Sequence, residues 1–520
     1  MGEVGVIARV IAVLLIAASA AAALAQGAPA RLYEQHCAVC HGADRLGGTG
    51  PALLPESLER LRKPAAVQAI AHGRVATQMP PFADKLSAAE IDALVAMIYS
   101  NPGRVPQWGE AEIRASRIVH PAAKPDAAKP VFSADPMNLF VVVETGDHHA
   151  TIRDGDRFEP LARFATRYAV HGGPKFSPDG RFVTFVSRDG WVQRYDLWNL
   201  RMVSEIRVGL NTRNIAISSD GRYLMAANYL PHTLVVLDTD LNFVKLLPVL
   251  DKDGKQSSRV SAVYDAAPRK SFVAALKDIP EVWEISYDDK AEPIPTGLVH
   301  DYRYKEGAFI PGKLNPRRSV LEGLLDDFFF TRSYAEILGA GREGGKAQVV
   351  HLDVRRKIAT VDVPGMPHLA SGITWDWNGR NVLATPNLRE GLVSVIDTRD
   401  WKVLKQIPTA GPGFFLRSHE NTPYAWVDAF MSPKKDVMQV IDKRSLEVVK
   451  ELRPAPGKVT AHVEFDRHGR HALVSIWEMD GALIVYDAAT LGEVKRLPMR
   501  KPSGKYNVFN KVTRSDGTSH

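Results

Sequence analysis

The chain has 520 residues, with 66 Lys and Arg against 59 Asp and Glu and a formal net charge of +7. That length accommodates two or more domains. So small a surplus, scattered rather than clustered, gives no footing for a nucleic-acid partner. With only two cysteines, a disulfide framework is excluded as the organising device.

The first 25 residues read as a secretory signal. Arg9 precedes an apolar run from Val10 to Leu24, and Ala23-Leu24-Ala25 forms a small-residue cleavage pattern before Gln26. The run is rich in Ala and short for a bilayer span of about 20 residues, so cleavage is expected rather than anchoring. No other stretch is long and apolar enough to span a membrane. The mature chain is expected in the periplasm.

Both cysteines fall in Cys37-Ala38-Val39-Cys40-His41. This C-x-x-C-H pattern is a c-type haem attachment site: each thiol can form a thioether to a haem vinyl, and the adjacent imidazole becomes the first axial ligand. A zinc half-site would need two more ligands at suitable spacing, and none stands nearby; a redox C-x-x-C pair is the other reading. Haem c is attached outside the cytoplasm, so motif and signal agree.

Residues 27–104 are expected to form a domain around this motif. A helix begins at Arg31 and runs into it. A Gly-rich loop, Gly47 to Pro51, follows, and 64–73 look helical. After Gln78-Met79-Pro80-Pro81-Phe82, Ser87 is an N-cap with Glu90 three residues on. The helix it opens carries Ile91, Leu94, Val95 and Ile98 at helical spacing. The domain resembles the small class I cytochromes c, which end on such a helix and take a Met from an M-P-P-like loop as second iron ligand. That resemblance assigns Met79, with His72 as the rival. A thioether ligand raises the reduction potential, which suits an electron acceptor.

Residues 105–130 have the look of a linker, ending in an Ala/Lys/Pro stretch. From 131 onward a unit repeats: a D-G or N-G turn, a β-rich run, then a second β-rich run ending in Asp. Asp179 and Asp220 mark successive turns 41 residues apart, a propeller-blade period. The second runs end at Asp196, Asp238, Asp397, Asp442 and Asp487. With weaker copies filling the gaps, the pattern predicts an all-β propeller of eight blades over 131–520. A seven-bladed scaffold that only binds a partner is the plainer alternative. His171, His300, His368, His419 and His462 stand near the starts of blades, which points to a shared central site.

A cytochrome c domain joined to an eight-bladed propeller resembles the cytochrome cd1 family over the whole mature chain. The resemblance rests on Tyr168-Ala169-Val170-His171, on Arg188-Asp189-Gly190 through Asp196-Leu197-Trp198, on Pro367-His368, and on a closing Gly504-Lys505-Tyr506-Asn507-Val508-Phe509-Asn510. It implies that His171 and His368 hold the haem d1 iron from opposite faces, with His300 a further candidate. It also implies that Arg167, Arg188 and Arg213 meet the macrocycle's carboxylates. The closing segment is expected to supply the strand that completes the ring.

Within the family the chain is most similar to the NirN-type dihydro-haem d1 dehydrogenases. Pro367-His368-Leu369-Ala370-Ser371-Gly372 lacks the Arg that nitrite reductases carry there. Leu325-Asp326-Asp327-Phe328-Phe329-Phe330 and the preceding Arg317-Arg318 resemble the NirN and NirF group, and NirF proteins have no covalent haem. NirN-type proteins, unlike the reductases, are similar at His462 and pair that His with a Tyr that falls on Tyr506. The resemblance implies oxidation of a propionate of dihydro-haem d1 to an acrylate, with His462 and Tyr506 catalytic and electrons passing to haem c and then to an external acceptor. Transient docking with the cytochrome cd1 nitrite reductase and other d1-biosynthesis proteins is implied as well. Nitrite reduction and a non-catalytic d1 carrier are the competing readings.

Overall fold

The structure, a computed structural model, describes residues 28–514 except 49, 60, 75–78, 104, 105, 123–126, 171, 172, 297–307, 342, 343 and 345. It divides between Gln107 and Trp108 into two units. Among the described residues no helix is long and apolar enough to cross a membrane.

In the first unit a helix over 28–36 turns at Cys37 into the short helix Ala38–His41. Helix Lys63–His72 has a proline in its first turn, where no amide partner is needed, and stops at Gly73. Gly73 has φ +69°, and a Cβ there would lie 2.8 Å from the Met79 carbonyl oxygen. Glycine is thus required where the chain folds back on the Met79 loop. The helix Ala88–Ile98 opens on the expected capping box: the Glu90 amide donates to Ser87 Oγ and the Ser87 amide to Glu90 Oε2. Its inward residues Ile91, Leu94, Val95 and Ile98 pack with Tyr33, Leu58, Ala66, Ile70 and Leu86. Burial of that kind contributes about 1.5–3 kcal/mol per large side chain.

The second unit is an eight-bladed propeller. Among the described residues eight antiparallel sheets form the blades in turn, seven of four strands and one of five, beside a separate two-stranded sheet of Ile294–Pro295 and Phe309–Ile310. Two local devices explain the repeat. Gly180, Gly221, Gly379 and Gly469 sit at the hairpin turns with φ between +68° and +75°, a conformation glycine adopts without a Cβ clash. Where a blade's third strand ends in Asp, that side chain accepts amide hydrogen bonds from the turn leading outward. Asp196 accepts from Trp198 N at 2.9 Å, Asp442 from Arg444 N at 2.7 Å and Asp487 from Thr490 N at 2.7 Å. Such a side chain satisfies amides that the chain reversal leaves unpaired.

The ring closes where the sequence places its closing segment. Strand Pro502–Asn507 pairs antiparallel with Phe140–Glu144, setting Tyr506 opposite Val141 and Lys505 opposite Val142. The helix Val508–Thr513 follows, with the Asn507 side chain as its N-cap. Asn510 Nδ2 donates to the Phe465 carbonyl at 2.9 Å, and the Arg514 guanidinium reaches Asp265.

The 105–130 stretch is more structured than a linker. Helix Glu110–Ala115 buries Ile113 completely, and Ile118–Val119 adds an edge strand beside Arg201–Arg207. Trp108 Nε1 donates to the Arg207 carbonyl at 2.9 Å. The apolar side chains Trp108 and Ile113, and an open sheet edge with unpaired amides, draw this segment onto the blade.

Candidate active site and haem-attachment site

In the first unit His41 is buried, and its Nδ1 lies 2.8 Å from the Pro51 carbonyl oxygen. A carbonyl only accepts, so Nδ1 carries the proton and Nε2 keeps its lone pair. Gly50 makes room for the ring, since a Cβ there would lie 2.7 Å from His41 Cε1. Cys37 and Cys40 are free thiols, and burial with the neighbouring Cys40 pushes Cys37 up to about 11. Met79 packs against the helical core, whereas His72 is exposed. Two free thiols, an oriented imidazole with Nε2 free, and a thioether at the core edge fit a covalent haem.

In the propeller, a cavity of about 250 Å³ opens where the innermost strands of the blades begin. Its lining includes Arg213, Tyr264, His368, Arg417, His462 and Tyr506. Five chemistries meet there: an imidazole prepared as a ligand, a neutral imidazole, a phenol, guanidinium groups, and an aromatic wall.

His368 is the prepared ligand. Its Nδ1 lies 2.7 Å from the Phe414 carbonyl oxygen, and the Phe414 ring is 3.8 Å from its own, centre to centre. Burial pushes its pKa down to about 3. The ring is therefore neutral, with Nδ1 protonated and Nε2 free, which is the state a metal ligand needs.

His462 and Tyr506 come together through ring closure, 5.3 Å apart between ring centres in an edge-to-face arrangement. His462 lies in strand Thr460–Phe465 at φ +57°, where the register shifts between Ala461 and Val463. A left-handed non-glycine residue costs about 1–2 kcal/mol, and such a bulge re-aims a side chain. The ring is 1 % exposed, and its Nδ1 has no hydrogen-bond partner among the described residues. Burial, then the charges of Lys505 and Arg417, hold its pKa well below the usual histidine range, so it is neutral. Burial pushes the Tyr506 phenol up to about 12, so it keeps its proton. Gly504 and Gly173 give that phenol space: a Cβ at Gly504 would lie 2.5 Å from its hydroxyl oxygen, and one at Gly173 3.0 Å from its ring.

Around the pair the charges are unbalanced. Arg417 is 4 % exposed; one nitrogen donates to the Leu416 carbonyl, and Nε has no partner. No carboxylate among the described residues forms an ion pair with Arg417. Lys505 is fully buried, and among the described residues its ammonium nitrogen hydrogen-bonds the His462 carbonyl and, at 2.8 Å, Ser475 Oγ. Burial lowers its pKa well below the usual lysine value. Arg213 shares a wall with Tyr264, whose hydroxyl donates to Asp327 at 2.9 Å.

The other expected residues are placed differently. Arg167 pairs with Glu205 at 2.6 Å and stacks 3.9 Å above the Trp191 ring. The Arg188 guanidinium lies 5.8 Å from the Tyr229 ring centre. Neither is among the cavity-lining residues. His419 is buried against Phe465, away from the lining. His171 and His300 lie outside the described residues, although Val170 and Gly173 line the cavity. Sequence reasoning missed Arg417, Lys505, Asp428 and the aromatic wall of Phe414, Phe415 and Trp477. A charged residue inside an innermost strand, as in Leu416-Arg417-Ser418, was the available signal.

Comparison with known proteins bears on this arrangement. The family model described as "Cytochrome D1 heme domain" matches residues 134–511, and that of the cbb3-type cytochrome c oxidase subunit III matches 24–98. The chain is 55% identical over 509 residues to a protein of Pseudomonas aeruginosa named dihydro-heme d1 dehydrogenase, covering 98% of each. It is 31% identical to protein NirF of the same organism over 71% of this chain and 90% of that one. A solved structure titled "Dihydro-heme d1 dehydrogenase NirN in complex with DHE" superposes with a TM-score of 0.85 at 55% identity, covering 93% of this chain and all of that one.

Proposed function

This chain belongs to the family of the cytochrome D1 heme domain, and from that premise we propose that it is a dihydro-haem d1 dehydrogenase. It is an oxidoreductase that converts a propionate side chain of dihydro-haem d1 to an acrylate. The observation that carries the reading is the neutral His462 beside Tyr506, next to a buried Arg417 that forms no ion pair among the described residues.

Desaturation breaks one C–H bond on each of two adjacent carbons and forms a C=C bond. Two protons and two electrons leave. His368 is the ligand from this chain for the substrate's iron, with His171 as its expected counterpart. Arg417 and Arg213 receive carboxylates, a planar match that charge-assisted hydrogen bonds strengthen. A carboxylate on Arg417 offsets the positive field that depresses His462 and raises its affinity for a proton. Neutral His462 then accepts one proton from the side chain, the second leaves to water, and protonated Tyr506 donates a hydrogen bond to the carboxylate. Cys37 and Cys40 would hold a covalent haem, with His41 and Met79 as the residues offered to its iron, and that group would supply one-electron redox capacity.

A carrier would need an iron ligand and carboxylate partners, but no neutral imidazole set against a phenol. We place the mature protein in the periplasm, as the reading of residues 1–25 implies, where it passes electrons to an external acceptor and docks transiently with the nitrite reductase that uses its product. The test is incubation of the haem-loaded protein with dihydro-haem d1, following the product spectrum, with His462→Ala and Tyr506→Phe in parallel.

A further inference from the structure

Asp428 ends strand Tyr424–Asp428 and is 1 % exposed. No cation among the described residues forms an ion pair with it. Its carboxylate is held by backbone amides instead: Phe414 N donates to Oδ1 at 2.8 Å, Phe415 N to Oδ2 at 3.1 Å, and His462 N to Oδ2 at a longer 3.5 Å. Burial raises its pKa to about 6 against the pull of those amides.

The three amides belong to the working parts of the cavity. The Phe414 carbonyl accepts the Nδ1 proton of His368, and the amide of that same peptide, Phe415 N, donates to Asp428, so the peptide that Asp428 grips is the one that orients the expected iron ligand. The Phe415 ring lies 4.7 Å from the His462 ring. The His462 amide belongs to the residue at φ +57° whose side chain the bulge turns toward Tyr506. One buried carboxylate thus touches the backbone behind both histidines.

We propose that Asp428 is a positioning residue that holds the iron-binding His368 and the proton-accepting His462 in a single frame. This rests on the dehydrogenase reading given above. The requirement is for a carboxylate. Both of its oxygens accept, whereas the amide of Asn offers one acceptor and turns an N–H₂ toward donors. Asparagine must leave either the Phe414 side or the Phe415 and His462 side facing a donor, and a buried unmatched donor shifts its neighbours.

The test is Asp428→Asn in the haem-loaded protein, with Asp442→Asn as control. Asp442 lies in the same blade and also receives turn amides, but it has no contact with the cavity. Two readouts are taken with dihydro-haem d1: the ligand-sensitive absorption bands of the bound substrate, and the desaturation rate. Asp428→Asn should shift the bands and slow desaturation by about 10–100-fold, the usual effect of losing a partner that orients a metal ligand. Asp442→Asn should change neither. Wild-type bands and rate in Asp428→Asn would overturn the proposal, and so would a change in only one of them, because the frame is shared. If Asp428→Asn does not fold, Asp428→Glu replaces it; displaced by one methylene, its oxygens must also move both readouts, and unmoved readouts overturn the proposal. No conversion of dihydro-haem d1 by the wild type would instead sink the dehydrogenase reading, leaving the bands of Asp428→Asn as the test at His368.

Discussion

The rim of the propeller and its centre treat charge in opposite ways. At the rim, charges are paired: Arg181 meets Asp196 at 2.7 Å, Arg380 meets Asp397 at 2.7 Å, and Arg269 meets Glu284 at 2.8 Å. At the centre, among the described residues, Arg417 is buried with no carboxylate partner, Lys505 hydrogen-bonds neutral oxygens, and His462 Nδ1 is unsatisfied. Both regions are built from the same repeated strands, so the fold does not account for the difference. The rim's polar groups satisfy one another, while the centre leaves Arg417 and His462 lining a cavity.

Removing the central charge is the strongest way to break this contrast. Arg417→Met should weaken dihydro-haem d1 binding by about tenfold to a hundredfold, since a hydrogen bond to a charged group contributes roughly 1.5–3 kcal/mol. The same change should raise the thermal midpoint of the ligand-free protein, because the cost of burying that charge outweighs the pull of Glu464 and Asp428 on it. Titration and thermal unfolding of one variant therefore carry opposite signs. A lowered midpoint would mean that Arg417 is paired in solution.

The rim should behave in the reverse sense. Asp196 is fully buried, bonds the Trp198 and Asn199 amides and pairs with Arg181. Asp196→Ala should lose about 1.5–3 kcal/mol of stability, read in denaturant unfolding, while the desaturation rate of the folded fraction stays unchanged. A slowed rate would connect rim and centre in a way the structure does not.

A smaller effect appears in pH. The folded pKa of His368 is depressed to about 3, against about 6.5 in the unfolded chain. Below pH 6.5 the unfolded chain binds a proton that the folded chain refuses, so this contribution is present above that pH and lost as pH falls toward 3. His368→Gln should flatten the fall in stability of the ligand-free protein by up to about 1.4 kcal/mol per pH unit between pH 6 and 4. An unchanged slope would show that the imidazole is not held neutral.

The same contrast explains what the sequence made legible. Turns with Gly180 or Gly469 and strand-ending Asp196 or Asp487 act on their immediate neighbours, so the blade pattern shows in the linear order. The 108–119 segment escaped because its order depends on an edge strand, Arg201–Arg207, that only the folded sheet presents. His462 and Tyr506 were recognised through family resemblance; their approach depends on the closing strand Pro502–Asn507. Arg417, Lys505 and Asp428 were passed over because a charge in a strand ordinarily faces water, and only the ring turns these inward. Arg167 and Arg188 were read as carboxylate partners from sequence, but Arg167 is engaged by Glu205 and Arg188 lies near the Tyr229 ring.

The most direct measurement is single-turnover conversion of dihydro-haem d1 by the haem-loaded wild type, His462→Ala and Tyr506→Phe, with substrate affinity measured on each. Wild type should yield haem d1. Each variant should bind the substrate with near wild-type affinity yet desaturate it about 10²–10⁴-fold more slowly, the usual loss for a proton-transfer residue, and the double variant should lose little more than either single one. Conversion at the wild-type rate by either variant would make that residue structural and contradict the account.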